Sequence, residues 1–261
     1  MIRSLWTGTT GMQAQQLSID VIANNLANVS TSGFKKSRPD FQDLLYQTMK
    51  VPGSQTSADT QSPTGILIGL GVKPAAVTKV FTEGDLIHTE NELDVAIQGR
   101  GFLQIEMPNG DTAYTRAGAL KRDSDGRITN SDGYPIIPAI TIPDGTTSVT
   151  IGETGIVSVT IGQTGQSTEI GNVEMATFIN PAGLYSLGKN LFQETDASGP
   201  PVLGAPGDEG FGTLLQTYIE GSNVNIVEEM ANMITTQRAY EINSKTIQTS
   251  DEMMQTTNNL A

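Results

Sequence analysis

Every seventh residue near the amino terminus is apolar: Leu5, Met12, Ile19 and Leu26. The row interleaved with it, Gly8, Gln15, Ile22 and Val29, is half apolar and improves toward its C-terminal end. Seven-residue recurrence is the period of a coiled-coil seam, so this pattern predicts a helix. Asn24, Asn25 and Asn28 fall in the same run, although asparagine favours caps and turns over helix interiors. Gly33 offers a C-cap, and Lys35, Lys36 and Arg38 follow where cations favour a helix end. Pro39 bars smooth continuation. The far end repeats the pattern at greater length, with Ile226, Met233, Tyr240, Ile247, Met254 and Ala261 spaced by seven. Its interleaved row, Met230, Gln237, Ser244, Asp251 and Asn258, is poor. Fully helical, residues 223–258 would extend about 54 Å.

Between these ends the pattern changes twice. Residues 46–73 carry Pro52, Pro63 and four glycines amid small polar residues, the composition of a linker. Its apolar close, Ile66, Leu67, Ile68, Leu70 and Val72, points instead to an extended arm that ends in a strand. From 74 to 212 short apolar runs such as DVAIQG and GFLQI alternate with turn dipeptides: Asn109-Gly110, Asp125-Gly126, Asp132-Gly133 and Asp144-Gly145. A weak repeat, TIPDGTTSV, TIGETGIVSV and TIGQTGQSTEI from Thr141, Thr150 and Thr160, has one strand and one turn per unit, as in a β-meander. The expected fold class is therefore α+β. N- and C-terminal helices (1–45 and 214–261) pair as a coiled coil, and an extended arm (46–73) and a mainly β domain (74–213) are inserted between them.

One such pair buries little. Six seam residues contribute about 1.5–3 kcal/mol each, against roughly 1–2 kcal/mol of backbone entropy for every residue ordered. With so many Thr, Asn and Ser residues, the terminal helices need more neighbours than one chain supplies. The amides Asn24, Asn25 and Asn28 suit close helix–helix contact from several sides, and a solvated polar face accounts for them equally well.

Composition narrows the function classes. The 261 residues suffice for one large or two modest domains. With 15 basic against 28 acidic residues the formal charge is −13, which argues against nucleic acid as a partner. No run approaches the ~18 apolar residues of a membrane span, and the polar TGTTGMQAQQ replaces the apolar core of a secretory signal. The absence of cysteine excludes disulfides and thiolate metal sites. His88 is the single histidine, so nucleophilic triads have almost no material. Asp123 and Asp125 in RDSDGRITNSDG lack the further acids of a calcium loop and suit a turn. Carboxylate groups such as Glu90, Glu92 and Asp94, or Glu228 and Glu229, occur in any acidic chain. No catalytic, cofactor or metal site is expected. The front of the chain is slightly basic (Arg3, Lys35, Lys36, Arg38) and the tail acidic (Glu220, Glu228, Glu229, Glu241, Asp251, Glu252). This favours their pairing, by at most about 1 kcal/mol per exposed pair.

The residues also carry a family likeness. SIDVIANNLANVSTSGFKKSRPDF at 18–41 resembles the N-terminal signature shared by flagellar basal-body rod and hook proteins, and SNVNIVEEMANMITTQRAYEINSKTIQTSDEMMQ at 222–255 resembles their C-terminal one. NELDVAIQGRGFLQI at 91–105 and YTRAGALKRDSDGRITNSDGYPI at 114–136 are similar to their β-domain motifs. Residues 46–73 resemble the insertion typical of the distal rod branch, in a form that hook proteins usually lack, and FTEGDLIHTENELDVAI at 81–97 points the same way.

This resemblance implies a structural subunit that stacks helically into a rigid, hollow, torque-transmitting shaft, with helices lining the inner tube and the β-domain forming the outer wall. Its implied partners are further copies of itself, proximal rod subunits, hook subunits and the surrounding basal-body rings, with no nucleic acid and no membrane insertion. It implies a rod within the periplasm, exported without a cleaved signal through the flagellar type III apparatus. The subunit interface is expected on Leu5, Met12, Ile19, Ile22, Asn24, Asn25, Leu26, Asn28 and Val29 at the front, and on Ile226, Met230, Met233, Tyr240, Ile247 and Met254 at the back. Two alternatives stay open: a hook or proximal rod subunit, and a secreted oligomeric adhesin or binding module.

Overall fold

A computed structural model describes residues 2–53, 55–57, 60–61, 63–162 and 167–259. Ala261 of the seven-residue count and part of the third TIG repeat lie outside the described residues. The chain divides into two compact units. One comprises residues 1–26, 37–78 and 225–261, and the other residues 27–36 and 79–224.

The first unit contains helix α1, Ile2–Ala27, and helix α2, Ile226–Asn259. Helix α1 ends six residues before Gly33. That glycine takes φ +70° and its N–H donates to the Glu220 carbonyl at 2.8 Å, so it serves a crossing of chains and not a helix cap. The helical expectation for 1–45 is corrected from there on. Ser37–Asp43 is a strand paired with Val72–Lys79, and Pro39 sits where its missing N–H is tolerated on a two-stranded edge. Tyr46–Lys50 pairs antiparallel with Ile66–Gly69, and Gln55–Ser57 antiparallel with Thr60–Gln61. Paired strands stand where composition suggested a linker.

At the other end, helix begins at Ile226 and not at 214. Thr213–Gln216 and Tyr218–Glu220 pair with Val95–Gln98 and Leu86–His88, because TLLQ and YIE have neighbours to complete a ladder. Asn225 then caps α2, its Oδ1 accepting the N–H groups of Val227 (3.0 Å) and Glu228 (3.3 Å), with Glu228 and Glu229 in the first turn facing the positive end of the helix dipole.

In the second unit all four predicted Asn-Gly and Asp-Gly turns form, with Gly110, Gly126, Gly133 and Gly145 at φ between +80° and +85°. The TIG repeat is a three-stranded antiparallel meander, Thr146–Ile151, Ile156–Ile161 and Ser167–Asn172. The main sheet runs in the order Tyr185–Gly188, Leu191–Gln193, Thr112–Thr115, Phe102–Glu106, Met175–Thr177, Val202–Gly204, with Ile136–Ile137 also on Phe102–Glu106. Alternation along its central strand sends Leu103 into the aliphatic core, among Ile97, Ile128, Val157 and Leu214. Phe102 points to the opposite face, into edge-on aromatic contacts with Phe81, Phe178 and Phe192.

Candidate functional site

Two constellations in this chain are built with more care than a solvated surface needs. The first is a buried ion cluster in the β-rich unit. Glu220 closes the strand Tyr218–Glu220, and its carboxylate meets Lys35 Nζ at 2.5 Å and Arg116 Nε at 2.7 Å, with both its side chain and that of Lys35 sealed from solvent. Arg116 gives three further N–H groups to the carbonyls of Gly99 (2.9 Å), Gly101 (3.1 Å) and Ile97 (3.0 Å). Lys35 Nζ also donates to Thr82 O at 2.6 Å, and Gly84 N–H donates to Glu220 Oε1 at 3.0 Å. One carboxylate thus serves two cations in a dry site. Burial pushes the Lys35 ammonium below the ordinary lysine value, against the upward pull of Glu220. The charge asymmetry between the chain's ends had pointed to front–tail pairing of orientation strength only; here one such pair lies in the interior. Nothing in local sequence marks Lys35 as buried, because SGFKK reads as a solvated basic run.

Around this cluster the segment 28–36 is woven into the β-rich unit. Lys36 N–H donates to Asn223 Oδ1 at 2.7 Å, Val80 N–H to Lys36 O at 2.9 Å, and Asn190 Nδ2 to Ser32 O at 2.8 Å. Lys79 Nζ stands over the Phe34 ring at 5.2 Å.

The second constellation is the facing surface of the two helices. Ser4 Oγ and Ser250 Oγ are 3.2 Å apart, and Asn25 Nδ2 donates to Glu229 Oε2 at 3.3 Å. Between these points Gly8 and Gly11 admit close approach, since an added Cβ would meet Ile247 Cγ1 at 3.0 Å and Asn243 Nδ2 at 2.9 Å respectively. Residue numbers therefore rise along α1 as they fall along α2. The buried stripe of α1 is Gly8, Ala14, Ser18, Val21, Ile22 and Asn25, whereas Leu5, Met12, Ile19 and Leu26 flank it half-buried. On α2 the most buried residues are Glu229 and Ser250, with Met233, Ile247 and Met254 half-buried. Ile226, Met230 and Tyr240 are exposed. The buried stripe of α1 thus takes Gly8 and Ile22 from the interleaved row and Ser18 and Asn25 beside the most apolar one, with close approach at Gly8 and Gly11.

Of the three asparagines, Asn25 is buried and finds its partners within the chain. Its Nδ2 donates to Ser37 O and its Oδ1 accepts from Ser37 N–H, both at 2.9 Å. Asn24 is on the exposed side of α1, and Asn28 and Val29 lie in the turn just beyond it, half-buried.

The residues weighed for catalysis are scattered. His88 lies against the Tyr218 ring with centroids 4.9 Å apart. Asp123 and Asp125 pair with Arg127 at 3.5 and 3.1 Å in the turn, and Glu92 Oε2 accepts the Val149 N–H at 2.9 Å. Among the described residues no three His, Cys, Asp or Glu side chains gather as metal ligands, and no helix is long and apolar enough to cross a membrane.

Comparison with known proteins decides the family. Residues 5–35 match the model for the flagella basal body rod protein, 96–159 that for the flagellar hook protein FlgE/F/G D1 domain, and 215–260 that for the flagellar basal body rod FlgEFG protein C-terminal. The flagellar basal-body rod protein FlgG of Buchnera aphidicola subsp. Schizaphis graminum is 52% identical over 255 residues, 98% of each chain. That of Borreliella burgdorferi is 50% identical over 262 residues, covering 100% of this chain and 99% of its own, and that of Caulobacter vibrioides is 48% identical over 260 residues, 99% of each. The chain belongs to the flagellar basal-body rod family. As a member of that family it is a structural subunit of the flagellum. Each rod-family segment contributes one member of the ion cluster: Lys35 closes the first match, Arg116 lies in the second and Glu220 in the third.

Proposed function

We propose that this rod-family chain is a subunit of the distal rod, polymerising helically into a rigid, hollow shaft that transmits torque and encloses the export channel. The observation that carries this reading is the outer surface of the helices. Ile226, Val227, Met230, Ile234, Ile242 and Met253 on α2, and Trp6 on α1, remain exposed after the chain has folded. Apolar surface on this scale marks an association face, and covering each such side chain contributes about 1.5–3 kcal/mol. In this reading α1 and α2 pair as an antiparallel coiled coil through Gly8, Gly11, Ile22, Asn25, Glu229, Met233, Ile247 and Ser250. Leu5, Met12, Ile19, Leu26, Ile226, Met230 and Tyr240 then meet other copies. The segment 46–69, with Tyr46, Met49, Val51, Ile66 and Leu67 exposed, serves as the arm that runs onto neighbouring subunits and stiffens the shaft. Its neighbours at the two ends are proximal rod and hook subunits, inside the basal-body rings. High identity to relatives named as rod proteins favours rod over hook.

The test is assembly. Purified protein concentrated from dilute solution is examined by electron microscopy, and the gene is returned to a strain lacking its rod subunit. The proposal expects straight hollow rods of indefinite length and restored motility with hook attachment. A closed oligomer of fixed size with no restoration would favour a discrete binding module.

A further inference from the structure

Trp6 is the chain's single tryptophan, and it is 67% exposed on α1, one turn beyond the exposed Arg3. Near the other end of the same helical unit, Val227 (77% exposed), Met230 and Ile234 form an apolar stripe on α2 beside the exposed Glu228. The register set by the Ser4–Ser250 and Gly8–Ile247 approaches places Trp6 level with residue 248 of α2. The indole is thus roughly 27 Å along the helix from Met230 in its own copy. It cannot reach the stripe within one chain.

We propose that Trp6 of one copy seats on the Val227–Met230–Ile234 stripe of a second copy displaced along the helix axis, with Arg3 brought to Glu228. This rests on the polymer reading above and names one contact of it. The two surfaces differ in shape and sign of charge, so the contact is heterologous. Such a contact repeats head to tail from copy to copy, and with a rotation that does not close a ring it builds an open filament. A large aromatic with an adjacent arginine, entering an apolar strip with an acidic rim, has the composition of an interface anchor.

The single tryptophan makes the contact readable in the wild-type protein. Emission is recorded across a concentration series while the same samples are sedimented. The proposal expects emission typical of a solvated indole in the dilute fraction and a blue shift confined to the sedimenting polymer. The double variant Met230→Ser, Ile234→Ser raises the concentration needed for polymer by roughly tenfold or more. Ile179→Ser, at an 86% exposed site in the β-rich unit, leaves the tryptophan shift unchanged. Because the chain has no cysteine, a second readout is available from positions beside the anchor and the stripe. Copies carrying Thr7→Cys, mixed with copies carrying Ala231→Cys, are joined by a short bis-maleimide in the polymer and not in dilute solution. Polymer that sediments with Trp6 still solvated, or without the cross-link, overturns this contact and leaves the polymer reading standing. Absence of polymer at any concentration overturns both.

Discussion

Lys35 Nζ sits 2.5 Å from Glu220 Oε1, joining residues 185 positions apart with neither side chain exposed. Surface pairs of this kind hold little, but a buried carboxylate serving two cations is different, because removing it strands both charges in a dry site. Glu220→Gln is expected to destabilise the β-rich unit by about 3–5 kcal/mol. Lys35→Met, which leaves the Glu220–Arg116 pair intact, should cost clearly less. Denaturant melts of the two variants and their double mutant check this order. Equal losses would mean that Arg116 does not share the carboxylate.

The same geometry predicts where the foldable core begins. A fragment spanning 27–224 should melt cooperatively. One spanning 79–224 loses Lys35, the Gly33 N–H to Glu220 bond and the Asn190 to Ser32 bond, and should melt well below it. Circular dichroism melts of the two fragments decide.

Thr217 has φ +65°, an unusual conformation for a β-branched residue. It is held there between Asp94 and Thr89, its N–H donating to Asp94 O at 2.8 Å and its carbonyl accepting from Thr89 N–H at 2.7 Å. Thr217→Gly relieves that strain and should stabilise the β-rich unit by roughly 1 kcal/mol, net of glycine's entropy. A lowered melting point would show that the Thr217 side chain contributes more than the strain costs.

Tyr114 is buried, with its ring edge-on to Phe178 at 4.8 Å. Burial, helped by Glu194, raises its phenol above the ordinary value of 10. A raised folded-state value means a stability contribution fully present below about pH 10 and lost as pH rises through the folded-state value, since the unfolded chain ionises first. Denaturant melts between about pH 9 and pH 11 should show stability falling in the wild type. Tyr114→Phe should fall less steeply, and identical slopes would remove Tyr114 as the cause.

Asn25→Leu leaves both polar groups of Ser37 and one Glu229 oxygen without the amide they bond. It should loosen the helical unit by about 1–3 kcal/mol while the β-rich unit melts as before. Hydrogen exchange at Ser37 reports the former, and unchanged protection there would contradict the role assigned to Asn25.

Much of the fold was legible because its signals are local. The Asp-Gly and Asn-Gly turns, the strands of the TIG meander and a helix at each end follow from a few neighbouring residues, and each forms. Hydrophobic counting favours Leu5, Met12, Ile19 and Leu26, whereas the closest approach of the helices falls at Gly8 and Gly11, whose contribution is their smallness. The helix ends were misread for a related reason. Gly33 and Leu214–Glu220 have partners far away in sequence, namely Glu220 for the glycine and residues 86–98 for the strands, and no local pattern announces them. Lys35 was invisible as a buried ion for the same cause.

The central claim is that the helical unit finishes its packing only against other copies. Hydrogen exchange, mapped by peptide on dilute monomer and on sedimented polymer of the same protein, tests it most directly. The account predicts that 2–27 and 226–259 exchange readily in the monomer and slow markedly in the polymer, with the β-rich unit protected equally in both. Helices protected as strongly in the dilute monomer as the β-rich unit would contradict it, for the chain would then complete its own helical pair without neighbours.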